Sequence, residues 1–183
     1  MSQSSNNKGD HWHWFSILLH WLTVLMVLSL FFLGIWMVDL TYFDEWYRLA
    51  PSLHKSTGVL LFIVTVVRLM WLMLVAKPVS VLEVGSREHT IARTAHQLMY
   101  LLLLSVMVFG YLISTADGRA IEVFGIFQLP AITLGIDKQE DIAGVIHFWL
   151  AVALMGLVAL HAIAALKHHF INKDRTLKRM LGL

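Results

Sequence analysis

The chain has 183 residues, 58% of them hydrophobic and only 14% charged, with a mean hydropathy of +0.70 and a formal net charge of +2 at pH 7. Such a composition excludes an ordinary soluble domain and places the chain in a bilayer, with membrane lipid as its first partner and no reason to expect nucleic acid. The absence of cysteine excludes disulfides, iron–sulfur ligation and thiol-attached haem, so that any haem must be held noncovalently.

In chain order, a flexible leader over 1–10 precedes four apolar stretches, 16–38, 56–76, 93–115 and 143–166, each near the roughly 20 residues that cross about 30 Å of hydrocarbon. The first is too long for a cleavable signal peptide, lacks a small-residue cleavage site and carries His20. No Pro- or Ser-rich linker divides the chain, which predicts one domain over 1–183, an all-α integral membrane four-helix bundle. The longest connection, 116–141, mixes Gly118, Gly125, Pro130 and Gly135 with Val123, Phe124, Ile126 and Phe127, and is expected to fold back onto the outer membrane surface. Trp12, Trp14, Trp36, Trp46, Trp71 and Trp149 fall near span ends, where indole rings prefer the interface.

Basic residues set the orientation. Lys8, the 77–93 connection with Lys77, Arg87 and Arg93, and the tail from Lys167 to Arg179 all lie on one side of a four-span chain. The other side carries Arg48, Lys55, Arg119 and Lys138 but also Asp39, Asp44, Glu45, Asp117, Glu122, Asp137, Glu140 and Asp141. The positive-inside rule then predicts cytoplasmic termini in a multi-pass membrane protein, with the basic tail beside anionic lipid.

His147 and His161 are fourteen residues apart in the last span. Fourteen residues of helix rise about 21 Å and complete almost four turns, so both imidazoles leave one face at two depths. His20 lies at the inner depth and His54 at the outer, which pairs His20 with His161 and His54 with His147. An ionisable side chain within a span is costly and ordinarily has a partner. Interhelical hydrogen bonding would explain any one of these histidines, but four matched by depth point to two haem irons, each held by two axial imidazoles. Structural zinc fits less well, because each depth offers two ligands where zinc takes four. Six-coordinate haem leaves no position for oxygen and favours electron relay. Gly34, Gly58 and Gly110, spaced by one turn or fourteen residues from His20, His54 or His96, are expected to face porphyrin planes.

The chain resembles the bacterial diheme cytochrome b561 family, related to the cytochrome b subunits of nickel hydrogenases. The resemblance rests on Phe15-Ser16-Ile17-Leu18-Leu19-His20-Trp21, on Leu53-His54-Lys55-Ser56-Thr57-Gly58, and on Ala95-His96 with Tyr100 and Leu101. It continues through His147-Phe148-Trp149 and His161 to Lys167-His168-His169-Phe170 and the segment from Lys173 to Met180. It implies that His20, His54, His147 and His161 ligate two b-type haems and that ubiquinone is a substrate or bound partner. It also implies an oxidoreductase, in one class of members a superoxide oxidase passing electrons from periplasmic superoxide to ubiquinone. By position, His168 resembles the family's quinone-site histidine. Because the outer loops are acidic, the competing readings are a quinol-linked relay to or from a periplasmic redox protein, and a membrane-anchor cytochrome b subunit.

Other residues carry secondary expectations. Arg68, fourteen residues after His54, and Lys55 are candidate partners for haem propionates, and His96 is a candidate for the quinone site or the edge of the inner haem. His11 and His13 are expected at the interface, and His89 in solvent. No P-loop, dinucleotide fingerprint or His-Glu-x-x-His sequence is present.

Overall fold

The structure, a computed structural model, describes residues 11–76 and 78–183. The leader 1–10 with Lys8, and Lys77, both used in the charge argument, lie outside the described residues. Four helices are long and apolar enough to cross a membrane: α1 (Trp14–Met37), α2 (Leu49–Leu74), α3 (Arg87–Ser114) and α4 (Gln139–Phe170). Between α3 and α4 lie two short strands, β1 (Ile121–Val123) and β2 (Phe127–Leu129), and a short α5 (Thr176–Met180) follows α4.

The helices outrun the apolar stretches because backbone hydrogen bonding does not stop where the hydrocarbon does. α2 starts at Leu49 rather than 56, with Pro51 in the first turn, where a missing amide proton costs no intrahelical bond. α3 starts at a Ser86 cap whose Oγ accepts from the His89 amide at 3.2 Å. α4 carries Glu140 and Asp141 in its first turn and Lys167, His168 and His169 in its last, each sign matched to the helix dipole. α1 is capped by His13, whose Nδ1 accepts from the Phe15 amide at 3.2 Å.

α1 packs along α2 and α3 along α4, with a lighter contact between α2 and α3. A small core of Leu19, Met26, Leu30, Leu61, Val64, Leu103 and Leu154 draws on all four helices. Thr23 and Thr65 are buried in it and donate to the carbonyls of Leu19 and Leu61 at 2.6 and 2.7 Å, which spares two hydroxyls the cost of desolvation. Leu25, Phe32, Ile63, Leu101, Leu160 and Ile163 point outward, as a lipid-facing surface requires. Trp71 is more than an interfacial anchor: Nε1 donates to Ser16 Oγ at 3.0 Å, and its ring meets Phe15 at 4.9 Å, closing the α1–α2 seam.

The four long helices agree with the all-α membrane bundle expected, and the two ends differ. At the hairpin end, the connection expected to lie on the membrane surface is tied to the helices and adds one short antiparallel pair, Ile121 opposite Leu129 and Val123 opposite Phe127. Ser56 Oγ accepts from the Phe124 amide at 3.1 Å, and Gln139 bridges the Leu112 carbonyl and the Leu134 amide. Tyr111 donates to the Pro130 carbonyl. Three-residue strands leave too short an alternation to be legible beforehand. At the terminal end, the tail does not simply lie beside lipid. Trp21 Nε1 donates to the Met180 carbonyl at 2.8 Å, and Arg179 is buried, with Nη1 donating to the Val79 carbonyl at 2.6 Å.

Arg179→Ala removes a buried charged hydrogen bond worth about 1.5–3 kcal/mol. The melting temperature of the purified protein is expected to fall by several degrees, as read by differential scanning fluorimetry, whereas Lys178→Ala at an exposed position should leave it unchanged.

Candidate functional site

The fourteen-residue spacing organises the interior into two layers. His54, Leu61 and Arg68 follow one another at seven-residue intervals on α2, as do His96, Leu103 and Gly110 on α3 and His147, Leu154 and His161 on α4. The buried Leu61, Leu103 and Leu154 form an apolar plug between the layers.

In the hairpin-end layer the rings of His54 and His147 lie 6.2 Å apart between centroids and are inclined by 73°. Metal–nitrogen bonds of about 2 Å on opposite sides of one iron put two imidazole centroids about 6 Å apart. His147 Nδ1 lies 2.8 Å from the Val106 carbonyl, an acceptor, so Nδ1 carries the proton and Nε2 is left with its lone pair. His54 Nδ1 is buried without a hydrogen-bond partner among the described residues.

A Cβ on Gly34 would stand 3.1 Å from Cε1 of His54, and one on Gly110 would stand 3.0 Å from Cε1 of His147. These two glycines make room for the imidazoles, and they come from the two helices that supply no histidine to this layer. Gly58 has open space around it.

In the terminal-end layer His20, Arg68, His96 and His161 gather. The His96 and His161 centroids are 5.1 Å apart, and His20 interacts electrostatically with Arg68, His161 and His96. Arg68 Nη2 donates to His20 Nδ1 at 3.0 Å, and its guanidinium stands 5.5 Å from the Tyr100 ring centroid. With Nδ1 accepting, the neutral His20 ring keeps its proton on Nε2. Coordination through Nε2 therefore requires Arg68 to turn away from His20, toward another anion or acceptor. His96 Nδ1 donates to the Ala92 carbonyl at 2.6 Å, which leaves its Nε2 with a lone pair.

Outside the layers, Lys55 is exposed, and Arg48 is the exposed residue at the start of α2. Arg119 is ion-paired with Asp117, whose hydrogen bonds from Arg119 hold the carboxyl below its usual pKa, while that carboxylate holds the guanidinium above its own. Hydrogen bonds from the amide and hydroxyl of Thr41 likewise keep Asp44 ionised. At the terminal end His168 Nδ1 meets Asp174 Oδ2 at 2.5 Å, a partner no sequence pattern singled out. His89, expected in solvent, is half-buried beside the Ser86 cap.

The family model described as prokaryotic cytochrome b561 matches residues 11–183. Cytochrome b561 homolog 2 of Escherichia coli (strain K12) is 45% identical over 179 residues, which take in 98% of this chain and 95% of that protein. The probable superoxide oxidase CybB of Yersinia pestis is 26% identical, over 89% of this chain and 91% of its own length. Cytochrome b561 homolog 1 of Escherichia coli (strain K12) is also 26% identical, over 90% and 93% of the two chains.

Gly110→Val is expected to displace the His147 ring and lower haem b per protein. Pyridine haemochrome absorbance checks this, with Gly156→Val, at a position with open space around it, expected to retain the parental content.

Proposed function

Because the chain belongs to the prokaryotic cytochrome b561 family, a family of membrane electron-transfer proteins with b-type haem, we propose that it carries electrons across the bacterial inner membrane from superoxide to ubiquinone. The observation that carries the reading is the facing pair His54 and His147, 6.2 Å apart, with the free lone pair on His147 Nε2. In this reading His54 and His147 would hold one noncovalent haem b, and His20 and His161 a second. Held by two imidazoles, haem b would supply reversible one-electron chemistry.

The chain's own groups do the positioning. The Val106 carbonyl orients His147, and Gly34 and Gly110 let the two hairpin-end rings approach. Arg68, once off His20, is the candidate partner for a propionate at the terminal-end layer; Lys55, exposed beside His54 in sequence, is the candidate at the rim of the hairpin end. Leu61, Leu103 and Leu154 keep water out between the layers. His168 is the hydrogen-bonding group for a quinone carbonyl, with His96 at the edge of that region. The terminal end is cytoplasmic in this reading, supported by its basic residues, and the hairpin end is periplasmic. Two superoxide ions each give up one electron and leave as oxygen, and one ubiquinone takes both electrons and two protons to become ubiquinol.

A second reading is favoured by the hairpin-end electrostatics. Superoxide capture gains from a positive approach, but Arg119 is neutralised by Asp117 and Asp44 is held ionised. An acidic face of this kind suits docking of a basic periplasmic electron-transfer protein.

The test is the visible spectrum of the purified holoprotein under a steady superoxide flux. A reduced-haem band that rises and is abolished by superoxide dismutase is the expected result; a spectrum reducible only by dithionite or quinol selects the relay. His147→Ala is expected to remove one haem equivalent and His161→Ala the other. Parental haem content in both variants would overturn the ligand assignment.

A further inference from the structure

α4 ends in a closed clasp. His168 Nδ1 and Asp174 Oδ2 are 2.5 Å apart, with both side chains largely shielded, at 17% and 19% exposure. The backbone repeats the link, since the Asp174 amide donates to the His168 carbonyl at 3.1 Å. Lys173, between them, takes the left-handed conformation at φ 55° that turns the chain back on itself. The other carboxylate oxygen, Oδ1, accepts from the Thr176 amide at 2.9 Å, which anchors Asp174 to the first turn of α5. Burial pushes the Asp174 carboxyl up, but hydrogen bonds from the Thr176 amide and hydroxyl and from His168 outweigh it, and the group is held below the usual carboxylate range. Asn172 Nδ2 also lies 3.2 Å from His168 Nδ1.

A carboxylate can only accept, so Nδ1 of His168 must carry the proton and Nε2 is the atom left for any ligand. A neutral ring in that tautomer offers Nε2 as an acceptor, which a quinone carbonyl cannot use. A ring protonated on both nitrogens offers Nε2–H, and an ionised carboxylate on Nδ1 compensates the charge that form carries. We propose that Asp174 is the positioning residue of the quinone site: it orients His168 through Nδ1 and supports the doubly protonated ring that donates from Nε2 to a quinone oxygen. The inference rests on His168 being the quinone-side group. Reduction of one quinone consumes two electrons, delivered by the reduced protein, and two protons. One of these passes from Nε2 of His168 to the quinone oxygen, and the ring regains a proton from the aqueous phase at the terminal end; the second proton also comes from water.

The experiment is stopped-flow reoxidation of dithionite-reduced holoprotein, freed of excess reductant, by a short-chain ubiquinone over a range of concentrations. His168→Ala is expected to lower the saturating rate about 100-fold, within the range for loss of a general acid. Asp174→Asn keeps the size and an acceptor oxygen but not the charge, and is expected to lower that rate about tenfold with little change in half-saturating quinone concentration. Asp174→Glu, which keeps the charge, should recover part of the loss. In a His168→Ala background, Asp174→Asn should cost nothing further.

A parental rate in His168→Ala overturns the quinone role of His168 and the inference with it. A slow His168→Ala beside a parental Asp174→Asn overturns the positioning role alone. So does an Asp174→Asn effect that persists in full without His168, or one that lowers only the melting temperature, since either marks the clasp as structural.

Discussion

An imidazole or guanidinium within a membrane span must find a partner inside the protein, because lipid offers none and exposure to hydrocarbon costs several kcal/mol. Here that demand is met by stacking: α1 contributes His20, α2 His54 and Arg68, α3 His96, and α4 His147 and His161, all at two depths. The seven-residue step sets Leu61 midway between His54 and Arg68, Leu154 midway between His147 and His161, and Leu103 midway between His96 and Gly110, so the apolar plug and the two layers come from one periodicity. Packing serves this arrangement and remains modest elsewhere. The long helices bury only a narrow stripe and leave Leu25, Ile63, Leu101 and Leu160 to lipid.

The two layers differ in how their rings are held. At the hairpin end, glycine on α1 and α3 gives the space and the Val106 carbonyl orients one ring, so that the His54 and His147 rings face each other 6.2 Å apart. At the terminal end, Arg68 occupies Nδ1 of His20, and His161 stands nearest His96 among the rings whose separation is defined. A fixed cation within the span and a cluster of three imidazoles give this layer a different electrostatic character.

The ends of the bundle are built for different surroundings. The hairpin end carries a sheet pinned by Ser56 and polar ties through Gln139 and Tyr111, all of which satisfy backbone groups that a loose loop at the interface would leave to water. Its charges include an internally neutralised Asp117–Arg119 pair. The terminal end is closed by the tail, with Arg179 on the Val79 carbonyl and Trp21 on the Met180 carbonyl. The His168–Asp174 clasp lies between the end of α4 and α5, in the same tail.

Much of this was legible in the residues. Apolar stretches of membrane length located four helices, and the separation of His147 from His161, matched by the depths of His20 and His54, grouped the histidines, because helical rise and twist are set by the backbone whatever the side chains do. Helix limits were less legible, since α2 and α4 continue past the hydrocarbon into polar sequence such as Lys55 and Gln139. The tertiary structure alone decided what depends on pairs distant in sequence: Gly34 against His54, Gly110 against His147, Arg68 on His20, Ser56 on the hairpin, and Arg179 inside rather than beside lipid. Asp174 is near His168 in sequence, yet its role also waited on the fold, because only the left-handed turn at Lys173 brings the carboxylate back to the ring. Periodicity determines which residues share a depth; the approach of one helix to another determines which of them touch.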